Sequence, residues 1–109
     1  MCYTPSHLDF AAQKAYQVLT QNLDKTVIIT FKKRTNGEAR RMVAICYSRH
    51  NGTFTTQSGL KKGLFQVWDC EKGDRRSVPL ENIWTIKAGN AVLFDQFETV
   101  QAEMDMLFG

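Results

Sequence analysis

Cysteine is scarce and unpaired in this chain: Cys2, Cys46 and Cys70 are an odd number with no CxxC pair among them. Neither a disulfide framework nor a zinc knuckle is suggested, and a reducing compartment suits such a sequence. No apolar run approaches twenty residues, and the opening MCYTPSHLDFAAQ has no basic segment followed by an apolar one. A membrane span and a secretory leader are therefore not expected. The two histidines, His7 and His50, have no Cys, Asp or Glu at metal or triad spacing, and no glycine-rich phosphate loop precedes a helix. Removal of Met1 would expose Cys2 as an N-terminal nucleophile with its own amine as base. Cys2-Tyr3-Thr4-Pro5 nevertheless lacks the small, glycine-containing continuation that such nucleophiles carry. A non-enzymatic protein without cofactor or metal is the expectation, with Cys46 and Cys70 as core and turn residues.

What is present is an ordinary folded composition, 43% hydrophobic and 23% charged over 109 residues, enough for one domain spanning 1–109 and one core. The charge is uneven. Residues 25–87 hold 13 of the 14 Lys and Arg residues against five acids, a net +8, whereas residues 88–109 hold four acids and no base, a net −4. Such asymmetry bears on partners rather than on fold.

Ser6 followed by Asp9 resembles a capping box, and Leu8, Ala11, Ala12, Ala15, Val18 and Leu19 recur at helical spacing, so a helix is expected over 7–22. The period then changes to two in KTVIITFKK, and Asn36-Gly37 supplies a tight hairpin turn into ARRMVAICYS. Residues 49–62 form the longest loop. A second hairpin follows, GLFQVWDC, EKGD and RRSVPL, in which Pro79 either ends its strand or lies at an edge. Leu80 and Ile83 suit one helical turn before WTIKA. Trp68 and Trp84, centred in strands, are expected in the core. The fold class is mainly β with flanking helices (α+β): a five-stranded SH3/Sm-like small barrel over 25–88, an N-terminal helix and an amphipathic C-terminal helix over 91–107. In the last, Leu93, Phe97, Val100, Met104 and Leu107 make a narrow apolar stripe, expected to pack on its own domain, with a partner protein or a second copy as the alternative.

FQVWDCEKGDRRSVPLENIWTI, residues 65–86, resembles the closing hairpin of WYL-type domains, which are Sm-like SH3 β-barrels. The stretch from VIITFKKRTNGEARRMVAICYS to VWDCEKGDRRSVPLENI is similar to the small stand-alone version found in tailed bacteriophages. The resemblance spans roughly residues 25–88 and implies a sensor-like barrel that accepts nucleic acid or nucleotide-like ligands in a basic groove. It places the family's arginine on Arg76 and its aromatic on Trp68. The pattern's later basic positions are occupied by Pro79 and Glu81-Asn82.

Together these features imply a phage-type binding protein in the cytoplasm of a bacterial host. The first expectation is single-stranded DNA or RNA, held by Lys33, Arg34, Arg40, Arg41, Lys61, Lys62 and Arg76, with Phe54 stacking on a base. Arg76 shares parity with Val78 and Leu80 and so points to the barrel mouth, toward an anion or toward Asp69 or Asp74, while Arg75 and Ser77 point away. The alternative is a module that binds and modulates a host protein through the barrel and acidic helix, with a homodimer through that helix also open. No membrane partner is expected.

Overall fold

The computed structural model describes residues 9–46 and 62–108, so Ser6, His50, Phe54, Lys61 and nearly all of the loop expected over 49–62 lie outside it. The first helix, α1, runs Phe10–Gln21. Asp9 sits in extended backbone (φ −69°, ψ 172°), and its Oδ1 accepts from the Ala12 amide at 2.7 Å. Asp9 is therefore the N-cap itself, not the downstream acid of a capping box, and the helix begins three residues later than position 7. A carboxylate taking an otherwise orphaned amide fixes the helix start at that point. At the other end the Asn22 side chain donates to the Val18 carbonyl, and Asp24 takes φ 64°, a left-handed turn that Asp tolerates better than most residues. The chain thereby reverses into the sheet.

Six strands follow: β1 (Thr26–Lys32), β2 (Ala39–Ile45), β3 (Leu64–Asp69), β4 (Asp74–Pro79), β5 (Ile83–Ala88) and β6 (Ala91–Asp95), then α2 (Gln96–Phe108). They form one antiparallel sheet in the order β4-β3-β2-β1-β5-β6. The period-two patterns mark β1 and β3 well: Val27, Ile29 and Phe31, then Phe65 and Val67, are buried on one side. β4 is an edge strand and Pro79 is its last residue, while Leu80–Asn82 form a 3-10 turn. Its first amide, Leu80 N–H, donates to the Gly63 carbonyl at 2.8 Å, fastening the turn to the start of β3.

Two further expectations change. The sheet has six strands rather than five, because residues 91–95 belong to β6 instead of the C-terminal helix. Gly89-Asn90 is a two-residue hairpin loop with Gly89 at φ 59°, a first central glycine of the kind a type II′ turn takes, and Ala88 faces Ala91 across it. The helix starts only when Asp95 Oδ1 accepts from the Phe97 and Glu98 amides. Asn36-Gly37, in turn, is not a two-residue turn. Lys32 pairs with Ala39 across a six-residue loop in which Gly37, at φ 74°, donates to the Lys33 carbonyl while Asn36 Oδ1 accepts from the Glu38 amide.

The core lies between α1 and the inner face of the curved sheet. Ala12, Ala15 and Leu19 from the helix meet Val27, Ile29, Ala44, Val67, Val78, Leu80, Ile83 and Ile86, all within 1% of complete burial. Tyr16 meets Phe65 edge to face with ring centroids 5.8 Å apart. β4 and β6 are the two edges of the hydrogen-bonded order, and β4 also approaches β1 across the core. Among the described residues no helix is long and apolar enough to cross a membrane.

Candidate functional site

At one end of the core the loop between β1 and β2 overhangs the end of β4, and an open cleft of about 340 Å³ lies between them. Its apolar lining is Phe31, Met42, Leu64 and Pro79; its polar walls are Lys33, Arg34, Thr35, Arg40, Arg76 and Ser77. Strand register explains the convergence. Arg40 faces Phe31 across the first hairpin, and Arg76 faces buried Val67 across the second, so both share the inner side but sit where the sheet runs out of core. Lys33 and Arg34 follow directly as the chain leaves β1.

Four cleft cations carry two acids with them. Arg34 forms a salt bridge with Glu81 on the 3-10 turn, and its Nη2 also donates to the Lys62 carbonyl at 2.7 Å. Both partners of that bridge are more than a third exposed, so its contribution to stability is small. Arg40 pairs with Asp69 at 3.0 Å. Asp69 is 1% exposed and its other oxygen accepts from the Glu71 and Lys72 amides, while its carbonyl accepts from Gly73. This carboxylate therefore organises the turn between β3 and β4 as well as holding Arg40. Asp74 Oδ1 accepts from the Arg75 amide. Both acids proposed as partners of Arg76 are thus engaged elsewhere, and among the described residues neither Arg76 nor the Lys33 ammonium has an ion-pair partner.

Of the eight residues marked in the sequence, Lys33, Arg34, Arg40 and Arg76 are brought together. Arg41 faces Thr30 on the outer side of the sheet, because neighbours in a strand point oppositely, and cannot share a surface with Arg40. Lys62 is exposed and does not line the cleft; its carbonyl accepts from the Arg34 guanidinium. Phe54 and Lys61 lie outside the described residues. Ser77 faces Gln66 on the outer side, as its parity requires, and still borders the cleft next to Arg76. The two tryptophans are not core residues: Trp84 is 41% exposed, and Trp68 is half-buried on the outer side between Ile45 and Arg75. The apolar floor follows no charged or aromatic motif in the sequence. Its signal was the placement of Phe31 opposite Arg40 once the hairpin loop is counted as six residues.

The thiols differ sharply. Burial pushes the Cys46 pKa up to about 12. Cys70, exposed in the turn, is raised by partial desolvation and then by the negative charges of Asp69 and Glu71. A raised pKa leaves less thiolate at any given pH and slows alkylation. In native protein near pH 8, Cys70 is expected to react with iodoacetamide more slowly than free cysteine, and Cys46 only after denaturation. Mass mapping of the labelled peptides checks this; prompt native labelling of Cys46 would contradict its placement in the core.

No family model, curated protein or solved structure matches this chain.

Proposed function

We propose that this chain is a small non-enzymatic binding protein of the Sm-like barrel type that holds a single strand of DNA or RNA across its basic cleft. The observation that carries the proposal is the convergence of Lys33, Arg34, Arg40 and Arg76 on one apolar-floored cleft where two acids leave two charges uncompensated. Phosphates would neutralise Lys33 and Arg76, and the apolar floor, most open at half-buried Leu64 with Phe31, Met42 and Pro79 behind it, would meet a base or sugar. The 340 Å³ volume suits one nucleotide unit at a time rather than a duplex groove.

Binding of a fluorescent oligonucleotide, measured by anisotropy over a salt series, tests this. With two to four phosphates neutralised, log K should fall against log salt with a slope of about −1.5 to −3, at roughly −0.7 per phosphate on single strands. Arg76→Glu and Lys33→Glu should each weaken binding at low salt by about tenfold and flatten the slope. Arg41→Glu, on the opposite side of the sheet, should change affinity less than about twofold. Undetectable binding at low salt, salt-independent binding, or equal losses from Arg41→Glu and Arg76→Glu would each overturn the proposal.

A further inference from the structure

Helix α2 does not pack on its apolar stripe. Its half-buried positions are Gln96, Thr99 and Glu103, and its first turn is fastened by polar contacts, Gln96 Nε2 to the Glu81 carbonyl at 3.0 Å and Thr99 Oγ1 to the Asp95 carbonyl at 2.8 Å. The stripe lies beside that contact line. Phe97 is 78% exposed, Leu107 68%, Met104 48% and Val100 39%. At about 100° per residue these four fall within an arc of roughly 80°. Glu103 lies on one flank, and Glu98 and Asp105 on the other, with no basic residue on the helix. Isologous pairing of two such helices would bring acid against acid, so this face does not suit its own twin.

The complement is on the same chain. The cleft offers an apolar floor with a positive rim, the inverse of an apolar stripe with negative flanks, and no residue of α2 lines it. Within one chain the two surfaces do not meet: α2 rests against α1 and Glu81 while its stripe faces outward. We propose that they meet between copies, the acidic α2 of one molecule docking on the basic cleft of the next, with Phe97 and Met104, two turns apart on the same stripe, turned to the cleft. The volume admits one or two large side chains, so the contact is small and weak. Because donor and acceptor surfaces differ, the contact is head to tail and propagates beyond a dimer unless the ring closes. The proposal uses the cleft's chemistry without requiring that nucleic acid bind there; where both hold, the helix and the strand compete for one surface.

Sedimentation velocity on nuclease-treated full-length protein tests it. At about 50 mM salt the mean mass should rise with concentration past that of a dimer over roughly 5–200 µM, and at about 500 mM salt it should return towards the monomer. Phe97→Ser and Arg76→Glu, both at exposed positions, should each be monomeric alone, with folding verified by circular dichroism. Mixed in equal amounts they should yield a heterodimer and nothing larger, since one intact helix and one intact cleft remain. Met104→Ser and Lys33→Glu form a second pair with the same expected pattern. A wild type that is monomeric throughout, an Arg76→Glu variant that associates like wild type, or a mixture that stays monomeric would each overturn the proposal.

Discussion

Replacing Asp69 with alanine should lower the stability of the fold by about 3 kcal/mol, while Asp69→Asn should cost about 1 kcal/mol. The carboxylate is 1% exposed and meets three donors: the Glu71 and Lys72 amides at one oxygen and the Arg40 guanidinium at the other. Alanine removes every acceptor, leaves the turn amides dependent on water, and strands an arginine whose side chain is only 26% exposed. Asparagine retains one carbonyl oxygen for the turn and loses only the ionic half. Equilibrium urea unfolding of the three proteins checks the order, and equal losses from the two substitutions would mean that the turn amides do not matter. Asp69→Asn also removes one of the two acids accompanying the four cleft cations. Its affinity for oligonucleotide should therefore rise even as its stability falls, two readouts moving in opposite directions from one substitution.

The second large effect is expected at Leu19→Ala, with a loss of about 3 kcal/mol, within the range of roughly 2–5 for deleting buried leucine methyls. Leu19 is completely buried on the inner face of α1. Ala12 and Ala15 on the same face are too small to close the space it would leave. For a domain of this size such a loss lowers Tm by more than about 10 °C. Differential scanning calorimetry measures it, with Phe97→Ser as a comparison that should hardly shift Tm because Phe97 is 78% exposed. If the two substitutions cost the same, the placement of α1 over the sheet is wrong.

The contrast between those side chains shows where sequence patterns speak clearly. Burial within a strand repeats every two residues, and Val27, Ile29 and Phe31, or Phe65 and Val67, announce both the strand and its inner face. Pro79 states the end of β4 because it brings no amide to the ladder. Residues 91–95 were less legible. Leu93, Phe97, Val100 and Leu107 keep helical spacing straight through the junction, so periodicity alone carries the helix back past Asp95, and only Gly89-Asn90 and the Asp95 cap separate strand from helix. Trp84 and the stripe of α2 fail differently: apolar spacing identifies a face but does not say what covers it. For the site, parity placed Arg76 at the end of the core, yet the sequence has no means of showing that Arg40 takes Asp69 from it, since that contact joins residues 29 positions apart.

β4 lies at the margin of the sheet, with Asp74, Arg75, Arg76 and Ser77 exposed and Pro79 closing it. An unprotected margin is a template on which further chains can stack by backbone hydrogen bonds, the route by which small β proteins aggregate. Adjacent guanidinium groups on a margin strand repel a like strand arriving beside it, and the proline withholds a donor at its end. The arginine pair thus disfavours such stacking by position, whatever Arg76 comes to hold.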